Sequence, residues 1–126
     1  PMNKELLWLN EAIKEAEISW AQGGIPIGSV LVTSRGEVIS RGHNQRVQTG
    51  DPTAHAAVVC FRNAGRRRDW AGLILVSTLS PCIMCTVTTL LFGIKRVVVG
   101  ENKNFLGAEA LMFSNGVQVD VINDQR

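Results

Sequence analysis

The sequence has no apolar run that approaches the length of a membrane span, and Met2 to Trp20 lacks the pattern of a signal peptide. Cysteine is scarce: three residues, an odd number with two in a C-x-x-C spacing, argue against a secreted disulfide framework. The cytoplasm is therefore the expected compartment, and no membrane partner is expected. Charge imbalance is slight as well. Thirteen Lys and Arg against 11 Asp and Glu give a net charge of +2, too weak to imply a nucleic-acid partner by itself. Internal repeats, linkers and low-complexity tracts are absent. Pro1 before Met2 reads as a cloning remnant and is left out of the fold reading. What is present, 126 residues with 45% apolar and 19% charged content, suits one domain, 1–126, with a core that needs no disulfide.

The chain is organised around Leu75-Val-Ser-Thr-Leu-Ser80-Pro81-Cys82-Ile-Met-Cys85. An apolar run stops at Ser80-Pro81, a good N-cap followed by a good first helical residue, because a helix start has no use for the missing N–H. Cys82 and Cys85 then fall in the first turns of a helix, three apart on one face. The positive end of the helix dipole favours the thiolate there, the form that binds metal or attacks.

In chain order, Leu6, Leu9, Ile13, Ala16 and Trp20 recur at helical spacing and predict an amphipathic first helix, ended by Gly23-Gly24. Ser29 to Thr33 and Glu37 to Ser40 read as a hairpin around Ser34-Arg35-Gly36, with Arg41 to Gln45 as a loop. Asp51-Pro52 repeats the cap-then-proline logic and predicts a helix from about Thr53 to Ala64, stopped by Gly65. Arg66 to Asp69 is a charged loop. Leu73 to Ser77 is a strand, Pro81 to Phe92 a helix and Arg96 to Val99 a strand, joined as a right-handed parallel crossover. A helix over Gly107 to Asn115 and a strand over Val117 to Val121 complete the chain. The predicted class is α/β: a three-layer sandwich, with a five-stranded mixed sheet flanked by helices.

C-x-x-C alone is also the spacing of a thioredoxin-like redox pair. The discriminating feature is His55, near the start of another Pro-initiated helix. Two helix starts aimed at one spot offer His55, Cys82 and Cys85, a Cys2His set with the fourth position open, as in a catalytic zinc site.

His55-Ala56-Ala57 followed by Pro81-Cys82-Ile-Met-Cys85 resembles the H-x-E…P-C-x-x-C signature of zinc-dependent nucleobase deaminases. The likeness is greatest to cytosine deaminases of the fungal, free-base type. It extends over Gly24-Ile-Pro-Ile27-Gly28, Gly42-His-Asn44, Thr78 to Thr86 and Val99-Gly-Glu-Asn102-Lys-Asn-Phe105. The resemblance implies the cytidine deaminase-like fold, with zinc held by His55, Cys82 and Cys85. It further implies a base contacted by Asn44, the Ala56 backbone and the Ser80 carbonyl, with Ile27 and Phe105 lining its ring faces and Asn102 among the substrate contacts. A small-molecule nucleobase and a second copy of the chain are the expected partners. Guanine or another purine base, a tRNA adenosine, and a non-catalytic base-binding role are the alternatives.

The resemblance also exposes a departure. Its signature has Glu where Ala57 stands. Enzymes of this class use zinc to lower the pKa of water to about 7, and the glutamate moves the protons to the ring nitrogen and the departing ammonia. Losing a general acid/base group costs roughly 10²- to 10⁴-fold in rate, so the chain as written is expected to be close to inactive. The ligands and pocket residues remain, which favours an introduced change over drift. Val87 stands where the resemblance implies glycine and is expected to crowd its helix or that helix's packing partner. Fungal-type enzymes also carry a C-terminal helical tail whose Trp and Asp close the pocket, beyond the position of Arg126. Cys60 reads as an inert buried thiol, Arg66-Arg67-Arg68 as a solvated loop, and His43 carries no assigned role.

Overall fold

The computed structural model describes residues 3–123; Pro1, and the position of the tail that fungal-type enzymes carry, lie outside them. Among the described residues, five helices and five strands follow in the order α1 (Lys4–Ala21), β1 (Gly28–Thr33), β2 (Val38–His43), α2 (Arg46–Thr49), α3 (Ala56–Ala64), β3 (Leu73–Leu79), α4 (Ile83–Phe92), β4 (Arg96–Glu101), α5 (Glu109–Ser114) and β5 (Gln118–Val121). A single 3-10 turn, Trp70–Gly72, leads into β3.

The strands form one sheet in the order β2-β1-β3-β4-β5. β1 pairs antiparallel with β2 and β3, and β3, β4 and β5 run parallel. The mixed sheet follows from the connections. A short turn at Ser34 to Glu37 can only return the chain antiparallel, whereas α4 and α5 each carry it back for a parallel pairing. Alternate residues of the central strands feed two cores. Val30, Val32, Ile74, Val76 and Val98 pack with Trp8, Leu9 and Ala12 of α1. Leu31, Leu75, Val97 and Val99 pack with Ala57, Cys60 and Phe61 of α3, Cys85 of α4 and Met112 of α5. Both faces are covered, which is why these strands read as continuous apolar runs. The predicted three layers are present, and among the described residues no helix is long and apolar enough to cross a membrane.

Several boundaries differ from the sequence reading. Trp20 was expected on the apolar face of α1 but is 69% exposed, while Trp8 is buried. The last buried position of that stripe belongs to Ser19, whose hydroxyl donates to the Asn44 carbonyl at 2.7 Å. β2 runs on through Arg41 to His43, because His43 pairs with Gly28, and β3 runs to Leu79 opposite Glu101. α5 is shorter than Gly107 to Asn115.

The largest shift is at the two Pro-initiated helices. α3 starts at Ala56, not Thr53, and α4 at Ile83, not Pro81. Asp51 does cap, but it caps a turn: its Oδ1 accepts from the Thr53 N–H at 2.9 Å and the Thr53 hydroxyl at 2.7 Å. Ser80 is not an N-cap, since its hydroxyl is engaged by the Leu106 carbonyl and the Glu109 carboxylate. The caps are instead His55 and Cys82, both extended.

Candidate active site

Neither His55 nor Cys82 uses its side chain to cap its helix, so both are free to face each other across the gap between the two helix starts. His55 Nδ1 lies 3.4 Å from Cys82 Sγ and 3.8 Å from Cys85 Sγ, and the three donor atoms fall within 4.8 Å of one another. Tetrahedral zinc with ordinary Zn–S and Zn–N lengths requires S···N edges of about 3.6 Å. The donor set therefore fits zinc in chemistry and in spacing.

The local electrostatics prepare this set. Burial, and then the Arg46 charge, holds the His55 pKa below its ordinary value, which keeps the imidazole neutral and able to ligate. Burial, and then the neighbouring Cys82 sulfur, pushes the Cys85 thiol upward, while the Val58 backbone N–H in the first turn of α3 acts the other way. Placing a second thiolate beside the first is unfavourable in a buried place, and a divalent cation between them reverses that cost. The remaining first-turn N–H groups of α3 and α4 add their partial positive charge at the same spot, since the first bonds within these helices are Val59 N–H to His55 and Thr86 N–H to Cys82.

In front of the three ligand atoms lies a cavity of about 260 Å³. Pockets for drug-sized ligands run to roughly 300–1,000 Å³, so this one is at the small end of that range. Ile27, Asn44, Ala56, Ala57, Ser80 and Phe105 line it together with His55, Cys82 and Cys85, so nine of the ten anticipated residues converge. Asn102 does not. Its amide donates to both oxygens of Glu109 at 3.2 Å, away from the cavity wall. Asn44 is buried, and its Oδ1 accepts from the Arg46 N–H at 3.0 Å, which leaves its Nδ2 as the available donor. Arg46 also lines the cavity, the one charged residue among the described residues that does so. The sequence reading missed it, although it stands two residues after Asn44. Ala57 is the second residue of α3 and sits beside the ligands with only a methyl group to offer.

Outside the cavity, Cys60 is buried against Ser40 and its thiol is pushed up to about 12 by burial, an inert group as expected. Val87 is half-exposed, so it does not crowd its own helix. His43 bridges Glu15 and Gln22 at 3.0 and 3.1 Å, and Arg67 pairs with Asp69.

Comparison with known proteins defines the class. The cytidine and deoxycytidylate deaminase zinc-binding region matches residues 2–101, and the chain belongs to that family. Zinc is accordingly its metal, with His55, Cys82 and Cys85 as the side chains present to hold it. A cytosine deaminase of Candida albicans is 45% identical over 119 residues, 93% of this chain and 79% of that protein. A tRNA-specific adenosine deaminase of Aquifex aeolicus is 38% identical over 100 residues, 77% of this chain and 65% of that one. A solved structure from studies of A-to-I editing by tRNA:A34 deaminases superposes with a TM-score of 0.81 at 28% identity, covering 95% of this chain and 100% of the other.

Proposed function

We propose that the site is built for hydrolytic deamination of a free nucleobase, cytosine or a close analogue, giving uracil and ammonia. We further propose that the chain as written is held near inactivity by Ala57. The observation that carries the first reading is the 45% identity to a cytosine deaminase over 93% of the chain, joined to a cavity sized for one base. Zinc, when bound, supplies the activation of water for attack on the amine-bearing carbon.

The chain's own residues account for binding and orientation. Asn44 Nδ2 donates to a carbonyl oxygen of the base, held in that sense by the Arg46 N–H on its other atom. The Ala56 N–H, unused within α3, donates to the polar edge of the ring, and the Ser80 carbonyl accepts from the exocyclic amine. Ile27 and Phe105 cover the ring faces and keep bulk solvent off the bound base, leaving the attacked carbon open on the side of the three metal ligands. The methyl group of Ala57 cannot carry a proton from water to the ring nitrogen and on to ammonia. Rough general acid/base magnitudes put that loss at about 3–5 kcal/mol of barrier.

A second reading has a specific observation behind it. Arg46 stands at the cavity, and no carboxylate among the described residues lies within ion-pair distance of it. An unpaired guanidinium there favours a substrate that brings a phosphate, as an RNA-acting deaminase would require. The two readings separate by calorimetry on this chain with zinc in place. Free cytosine binding more tightly than guanine or adenine, and more tightly than an adenosine-containing RNA stem-loop, supports the first. Binding of the stem-loop alone supports the second.

A further inference from the structure

Phe105 reaches the cavity from residues 102–108, a connection with no helix or strand of its own. Something must hold an aromatic ring at a cavity rim from such a segment, because irregular connections open more readily than the elements they join. The fastening converges on Glu109, the first residue of α5. It is buried, and no cation among the described residues pairs with it. Burying a carboxylate is costly unless donors surround it. Here they come from both sides of the cavity rim. Asn102, at the start of the connection, donates its Nδ2 to Oε1 and Oε2, each at 3.2 Å. The Ser80 hydroxyl, beside Pro81 and Cys82, lies 2.7 Å from Oε2 and 2.6 Å from the Leu106 carbonyl, and its one proton serves either acceptor. At the far end the Ala108 N–H donates to the Pro81 carbonyl at 3.1 Å. Between them Gly107, at φ +70°, passes so close to Ser80 and Pro81 that a Cβ would collide with both.

We propose that Glu109 is a positioning residue for the cavity: it ties the Asn102–Ala108 connection to the Ser80-Pro81 segment and so fixes Phe105 and the Ser80 carbonyl relative to each other. Glu109 does not itself line the cavity, so it touches no substrate. The effect on base binding rests on the reading of that cavity as a base pocket, whereas the tether is independent of it.

The test uses the zinc-loaded chain as it stands. Lys103 is exposed within the connection, and Arg66 and Arg68 are exposed in a loop elsewhere, so limited trypsin digestion carries its own reference. In Glu109→Ala, cleavage after Lys103 relative to the Arg66–Arg68 loop should rise about 10-fold, and the Kd for cytosine should rise by a similar factor, with zinc content unchanged. Glu109→Gln, which keeps the size and one acceptor, should hold both changes to about 3-fold. If Glu109→Ala does not fold, Asn102→Ala decides: the same Lys103-specific rise supports the tether and its absence overturns it. A folded Glu109→Ala with neither value altered overturns the proposal. So does a parallel rise at both loops with a fall in melting temperature, which would make Glu109 a general stability residue. Should the parent chain bind no base, the base-pocket reading fails, and the Lys103 ratio still tests the tether.

Discussion

His55 Nδ1 and Cys82 Sγ lie 3.4 Å apart, and each of the two residues is the N-cap of its own helix. An N-cap is extended, so its side chain leaves the helix along the axis instead of around it. Both ligands therefore point into the space that the two helix starts share. Asp51-Pro52 opens a turn just before α3, closed by the Ala54 N–H on the Asp51 carbonyl at 3.2 Å, and Ser80-Pro81 leads directly into Cys82.

That arrangement depends on how closely α3 approaches β2. Gly42 faces Ala56 and Cys60, and a Cβ there would meet their backbone atoms. Gly42→Ala should push α3 away from the sheet, at a cost of about 1–3 kcal/mol in stability. It should also weaken zinc retention, because His55 starts that helix. Urea denaturation and zinc competition with a chromogenic chelator check the two effects. Full stability in Gly42→Ala would contradict the close packing.

On α4, Ile83, Val87 and Leu91 are 60%, 50% and 79% exposed and fall at i, i+4 and i+8, one stripe on one face. We propose that this stripe is buried in a homodimer. Sedimentation at micromolar concentration should give twice the chain mass, and Leu91→Glu should give a monomer. A monomeric parent chain would contradict the proposal.

Arg96 donates to Glu5 at 2.7 Å and to Asp120 at 2.9 Å, and it holds the Glu5 carboxyl below its ordinary value of 4.5. A depressed folded-state pKa contributes stability above the ordinary value, and that contribution is lost as pH falls through the folded one. Glu5→Gln should thus destabilise the chain at neutral pH by about 1–2 kcal/mol. The difference should close as pH drops below 4.5. Denaturation curves for the two proteins across that range check it, and a gap that persists in acid would contradict the assignment.

How much of this was legible in the sequence divides along physical lines. The sheet, its mixed pairing and the two cores follow from strand alternation and from connection length, both local in sequence. The ligand set was legible because C-x-x-C and a distant His are rare chemistry. Helix starts were misread by two or three residues, because Ser80 and Asp51 have the side chains of N-caps but are recruited by Glu109 and Thr53. Trp20 was misread because periodicity does not reveal where a core ends. The partner that Asn102 takes, Glu109, lies seven positions on, in a helix whose buried acid carries no motif. Arg46 had no signal beyond its nearness to Asn44.

We propose that the described residues hold the metal ligands and base contacts of a deaminase site and lack one carboxylate, at Ala57. The deciding measurement is ammonia release by Ala57→Glu from cytosine, guanine and adenine, with Cys82→Ala as the zinc-deficient control. Restoring a general acid/base group should raise the rate on cytosine by at least about 10³-fold over the parent chain. A zinc-loaded, folded Ala57→Glu that releases no ammonia from any base would contradict it.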